Sequence, residues 1–157
     1  MKGRNSRAGG LLGRLRRRDE GEREVAKSAA AWREQLTPAQ FHVLRGHGTE
    51  PPFSEPDRGP DAGGLYRCAG CDAALFRADA KFESGTGWPS FTASEPDGVE
   101  LRRDLRLLIP RTEVRCRRCG GHLGHVFRDG PGPERTRYCI NALAFAPGDG
   151  DDGGDGP

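Results

Sequence analysis

The chain has 157 residues, enough for one domain, and its 24 Gly and 12 Pro make it rich in turns. Hydrophobic residues are 34% and aromatics 7%, so the core must be small, the circumstance in which a small domain uses a staple. A formal net charge of +2 and the lack of any apolar run of membrane-spanning length argue against a polyionic chain and a helical membrane protein.

Charge is unevenly placed. Residues 1–18 carry Lys2, Arg4, Arg7, Arg14, Arg16, Arg17 and Arg18 with no acid, and residues 148–157 carry Asp149, Asp151, Asp152 and Asp155 with no base. Neither end has the apolar content to fold, so residues 1–32 are expected to be a basic, disordered extension and 147–157 an acidic tail. Attraction of the basic end to nucleic acid or membrane is the alternative to a solvated tail. The start lacks the long apolar stretch of a secretory signal and has a single Ser before Asp19, unlike a transit peptide. The Gly/Arg/Asp/Ala bias suits a GC-rich bacterium, and a cytoplasmic location is expected.

In chain order, residues 28–36 favour helix by propensity. A second helix is predicted from Pro38 to about Arg45, with Thr37 as cap, Gln40 completing a capping box and Gly46 as stop. Residues 49–64 read as a loop. Beyond it lie short strand candidates at 64–68, 74–77, 99–108, 111–115, 123–127 and 136–145, separated by Gly- and Pro-containing turns. No βαβ rhythm is present. The expected fold is mainly antiparallel β with short helices at the front.

Cys68-Ala-Gly-Cys71 and Cys116-Arg-Arg-Cys119 are two Cys-x-x-Cys knuckles. Two such turns supply four thiolates, the closed tetrahedral set of structural zinc, and iron would fit the same cage. The 44 residues between them exceed the spacing of a compact zinc ribbon, so the knuckles must tie two separate hairpins together. A cytoplasmic setting disfavours disulfides, and a redox motif of the thioredoxin kind needs a βαβ context. His122 and His125 as metal ligands would leave Cys68 and Cys71 unexplained. His42 and His47 read as ordinary surface or packing residues.

Cys139 is the fifth cysteine. On its own it reads as a small buried hydrophobe. A strand through Arg137-Tyr-Cys-Ile-Asn141, however, puts Arg137, Cys139 and Asn141 on one face, where a cation and an amide favour a thiolate. With His122 and His125 as proton donors, a thiol-dependent enzyme and a purely structural or binding zinc domain both stay open.

Motifs beyond the cysteines carry a resemblance. Ser84-Gly-Thr-Gly-Trp-Pro-Ser-Phe91, His122-Leu-Gly-His-Val-Phe127, Asp129-Gly-Pro131 and Arg137-Tyr-Cys-Ile-Asn141 resemble, in order, the motifs of the B-type methionine sulfoxide reductases. Leu36-Thr-Pro38 and His47-Gly-Thr-Glu-Pro-Pro-Phe53 resemble the N-terminal part of that family, and the knuckles its zinc-bearing branch. The likeness covers residues 33–146, the expected catalytic domain. It implies a β-tent of two antiparallel sheets and a structural Zn2+ on Cys68, Cys71, Cys116 and Cys119. It also implies the reduction of peptide-bound methionine-R-sulfoxide by Cys139 as nucleophile. His125 and His122 would orient and protonate the sulfoxide oxygen, and Trp88 and Phe127 would wall the methyl pocket, with Asn141 and Arg137 framing the site. Without the resemblance, Trp88 reads as a core tryptophan.

Many relatives have a resolving cysteine where this chain has Thr86. The expectation is therefore a one-cysteine enzyme whose sulfenic acid is reduced by thioredoxin or another external thiol, acting as a monomer without nucleic-acid or membrane partners. A non-enzymatic zinc module that binds protein or nucleic acid is the competing class, but basic aromatic stripes are absent.

Overall fold

A computed structural model of the chain describes residues 23–149. The predicted helices form as α1 (Ala29–Gln35) and α2 (Pro38–Leu44). Ser28 caps α1 by accepting from the Ala31 amide. Thr37 and Gln40 close the capping box of α2 at 3.1 and 3.0 Å, satisfying two amides that the helix itself leaves unpaired. Trp32 of α1 and Val43 and Leu44 of α2 are buried.

Eight strands follow: β1 (Leu65–Arg67), β2 (Ala74–Arg77), β3 (Lys81–Phe82), β4 (Ser90–Phe91), β5 (Val99–Asp104), β6 (Arg111–Cys116), β7 (His122–Phe127) and β8 (Arg137–Ile140). β1 and β2 form a two-stranded sheet, and the rest form a six-stranded sheet in the order β3-β4-β8-β7-β6-β5, with every pair antiparallel. The expected two-sheet fold is present. The sheets face each other through an aromatic core. Tyr66 and Phe76 of the small sheet meet Phe91 of β4 and Phe145, with Phe76 stacked on Phe91 at 4.4 Å between ring centres.

Two predicted strands end early, and in each case a carboxylate ends them. The strand expected over 99–108 stops at Asp104, whose Oδ1 accepts from the Arg106 amide and bends the chain. The strand expected over 136–145 stops at Ile140. The next residues form a 3₁₀ turn, Ala142–Ala144, because the Ala142 and Leu143 amides donate to the Glu50 carboxylate at 2.8 and 2.9 Å. β3 and β4, at two residues each, are too short to show alternation in the sequence.

The expected division between tail and domain at residue 32/33 falls inside α1. Residues 23–32 lie against the domain: Trp32 is in the core, the Val25 amide donates to the Arg118 carbonyl, and Arg23 pairs with Glu100 at 2.6 Å. At the other end the Gly148 amide donates to Arg58 O, and Asp149 accepts from the Ala62 amide. The remainder of both expected tails lies outside the described residues. No helix among the described residues is long and apolar enough to cross a membrane.

Candidate active site

β7 and β8 lie side by side with Gly124 opposite Ile140, His125 opposite Cys139 and Phe127 opposite Arg137. Residues 137, 139 and 141 share a face, as alternation requires. Opposed pairs on neighbouring strands also share a face, so His125 and Phe127 join them. Gly124 permits the close approach. A Cβ there would run into the Cys139 carbonyl oxygen.

A simple strand would turn His122 and His125, three residues apart, to opposite faces. Instead β7 carries a bulge: Val114 pairs with Gly124 but Arg115 pairs with His122, leaving Leu123 as the extra residue. The bulge resets the alternation. The two imidazoles then meet edge to face, with ring centres 5.4 Å apart.

These residues surround a cleft of about 180 Å³. Of the residues singled out in the sequence, Cys139, His125, Asn141, Trp88, Phe127 and Arg137 line it, together with Thr49, Thr86, Gly124 and Arg111. His122 does not line it. It is buried behind His125. A larger groove of about 730 Å³ runs past Arg23, Glu95, Asp97, Glu100, Arg117 and Arg118. It has neither thiol nor imidazole, so the chemistry belongs to the smaller cleft.

Several cleft residues are held by partners. The Trp88 indole N–H donates to the Glu50 carbonyl at 2.9 Å. Asn141 Oδ1 accepts from the Glu50 amide and its Nδ2 donates to Leu123 O, both at 2.9 Å. Glu50 thus anchors the indole, the amide and the turn after β8. It is buried, and burial raises its carboxyl while the Leu143 and Ala142 amides act against that. Arg137 grips Asp129 through Nε at 2.7 Å and Nη2 at 3.2 Å and lies over the Phe127 ring.

Behind the cleft the two histidines have a carboxylate each. His125 Nε2 lies 2.7 Å from Asp104 Oδ2, and His122 Nδ1 2.6 Å from Glu113 Oε2. Burial pushes both carboxyls up, but hydrogen bonds and nearby cations overcome it. The Arg106 amide and His125 hold Asp104 well below the usual carboxylate range, and His122, His47 and Arg115 hold Glu113 there. Burial lowers the His125 imidazole against the opposing pull of Asp104, which favours its neutral form. Burial also pushes the Cys139 thiol up, and the Arg137 charge pulls it back toward ionisation.

Sequence reasoning did not single out Glu50, Asp104, Glu113, Arg111 or a role for His47. Asp104 and Glu113 sit among alternating charges that look like an exposed face. Only the motif His47-Gly-Thr-Glu50 marked its members as unusual.

The four remaining cysteines gather at the other end of β6. Cys68 Sγ lies 3.8 Å from Cys119 Sγ, and Cys71 Sγ lies 3.5 Å from Cys116 Sγ. All four sulfurs are mutually within 4.8 Å. A tetrahedral ion with Zn–S bonds of about 2.3 Å needs sulfurs about 3.8 Å apart, whereas a disulfide needs about 2.05 Å. The cluster therefore suits a metal ion. From Arg111 at the cleft to Cys116 at the cluster, β6 spans roughly 17 Å, so the two sites are separate.

The SelR domain family matches residues 36–147. The peptide methionine sulfoxide reductase MsrB of Agrobacterium fabrum is 55% identical over 127 residues, covering 79% of this chain and 94% of that protein. The chain belongs to the methionine-R-sulfoxide reductase B family. The peptide methionine sulfoxide reductase MsrB of Leifsonia xyli is similar at 52% over 128 residues, covering 80% of this chain and 92% of that protein. The mitochondrial methionine-R-sulfoxide reductase B2 of Homo sapiens is similar at 45% over 130 residues, covering 78% and 71%. In this member of the reductase B family, Thr86 lines the cleft and its hydroxyl binds Ser84 Oγ at 2.8 Å. With four of the five cysteines drawn into the cluster, Cys139 is the one thiol at the cleft.

Proposed function

We propose that this chain is a peptide-methionine (R)-S-oxide reductase in which Cys139 is the nucleophile. The observation that carries the reading is the cross-strand pair of Cys139 and His125, opening on a cleft walled by Trp88 and Phe127. The S-methyl group of the substrate sits between these two rings. Fixing it there decides which epimer presents sulfur to Cys139 and oxygen to the imidazole.

A sulfoxide oxygen leaves only when protonated. With Nε2–H donating to Asp104, neutral His125 offers the Nδ1 lone pair to the cleft and takes the Cys139 proton. Asp104 stabilises the imidazolium that forms, and the Arg137 charge stabilises the thiolate. The thiolate attacks sulfur, the imidazolium protonates the oxygen, and the S–O bond breaks. The hydroxyl passes to the Cys139 sulfur as the bond between the two sulfurs breaks, so methionine leaves and Cys139 becomes a sulfenic acid, with no net proton change. Asn141, braced by the Glu50 amide, orients the oxygen during the transfer, and His122, braced by Glu113, holds the His125 ring against which it packs.

Thr86 offers no resolving thiol. An external thiol such as thioredoxin, a glutaredoxin-like protein or a small thiol therefore attacks the sulfenic sulfur and releases water, and a second thiol frees Cys139 from the mixed disulfide. Cys68, Cys71, Cys116 and Cys119 would hold a structural Zn2+, which would supply a clamp on the fold rather than a step of the reaction. The substrates are oxidised proteins and peptides, and the enzyme acts in the cytoplasm as a monomer with no nucleic-acid or membrane partner.

The test is one turnover without reductant. Protein mixed with one equivalent of a methionine-R-sulfoxide peptide should gain one oxygen in mass, trapped by dimedone at Cys139. An intramolecular disulfide at Cys139 would sink the one-cysteine reading.

A further inference from the structure

His47 is not explained by surface packing. It holds a φ of 57°, the left-handed region that non-glycine residues occupy at a cost. Glycines flank it on both sides, yet the strained position carries an imidazole. That imidazole reaches inward. Its Nδ1 lies 3.0 Å from Glu113 Oε2, the same oxygen that His122 Nδ1 contacts at 2.6 Å. The two rings lie 5.4 Å apart and tilted by 49°.

Glu113 is buried and its other oxygen faces cations, with Arg115 Nε at 3.2 Å and Arg106 Nη2 at 3.5 Å. With an ionised carboxylate, Oε2 accepts from two Nδ1–H groups and Oε1 lies beside two guanidinium groups. His122 Nε2 is the nitrogen that Glu113 does not hold. It is buried and has no hydrogen-bond partner.

We infer that His47 is a positioning residue of the active site, holding His122 in one tautomer and one ring orientation through the Glu113 oxygen they share. This rests on the reading of the Cys139–His125 cleft as the active site, where the His122 ring packs against His125. Without the second donor, Glu113 Oε2 has one strong partner and room to rotate, and His122 can turn with it. His47 is the accessible member of the three, with 33% of its side chain exposed, so its replacement opens no cavity in the core.

Two variants separate positioning from simple stability. His47→Gly keeps the left-handed backbone without strain but removes the donor. His47→Asn tolerates the same backbone and returns an N–H close to where Nδ1 stood. The expected result for His47→Gly is a fall in kcat of about tenfold, the lower end for loss of a histidine's orienting partner, with KM little changed. His47→Asn recovers most of that fall. In 15N spectra of the resting protein, His122 should be one tautomer in the parent and in His47→Asn, and a mixture in His47→Gly. A His47→Gly variant with parental kcat, an unchanged His122 signal, or equal losses in both variants would overturn the inference. Failure of the functional reading is seen separately, as lack of turnover by the parent protein, while the His122 spectrum judges His47 without any turnover.

Discussion

At Cys139 two opposed effects meet. Burial raises the thiol and Arg137 lowers it. The charge itself is secured by Asp129, whose hydrogen bond is the largest influence keeping Arg137 protonated. A raised pKa means more neutral thiol at neutral pH, so the thiolate fraction grows as pH rises toward that pKa. The rate of alkylation of Cys139 should therefore climb between pH 7 and 9. In Arg137→Gln burial acts unopposed, the pKa rises further, and the climb moves to higher pH. The rate at pH 7 falls by roughly tenfold for each unit of that rise. A profile that does not move on substitution would show that Arg137 has no hold on the thiol. Of the residues singled out in the sequence, Cys139, Asn141 and His125 line the cleft and were marked by motif and chemistry together, Trp88 lines it and was marked by the motif alone, and His122 packs behind His125. Glu50, Asp104 and Glu113 were not, because a buried carboxylate and a solvated one look alike until the partners that compensate it are brought near.

The helices were readable because their signals are local: the propensity of residues 28–36, and the Thr37/Gln40 capping box, which acts within four residues of itself. Strand ends were less so, since Asp104 and Glu50 stop β5 and β8 through contacts that alternation does not contain. The β7 bulge is the same kind of feature. It is set by pairing with β6, and it turns His122 toward His125. Gly124, next to the bulge, is where β7 and β8 come closest. In Gly124→Ala the new methyl forces β7 away from Cys139. Overpacking of this kind should cost about 3 kcal/mol, seen as a lower midpoint in urea, and it should depress turnover because His125 and Cys139 are carried apart. An alanine variant with parental stability and turnover would mean that the strands have slack at the site.

For the whole molecule, two sheets meet on a few aromatic rings, and the cysteine cluster joins the turn after β1 to the turn after β6. The need for a staple was visible in composition, and the knuckle spacing identified it. The docking of residues 23–32 was hidden, because Arg23 and Val25 belong by composition to the charged N-terminal stretch. A structural zinc contributes on the order of 10 kcal/mol, comparable with the entire stability of a domain this size. A strong chelator should therefore abolish cooperative thermal unfolding, and Zn2+ should restore it. Retention of the parental transition in metal-free protein would remove the clamp from this account.

The central claim is that Cys139 reduces one epimer of oxidised methionine within the Trp88–Phe127 cleft. The most direct measurement gives separated R and S epimers of a methionine-sulfoxide peptide to metal-loaded protein with dithiothreitol, alongside Cys139→Ser. The account predicts conversion of the R epimer alone, abolished in the variant. Equal consumption of both epimers, or no turnover by the folded, metal-loaded protein, would contradict it.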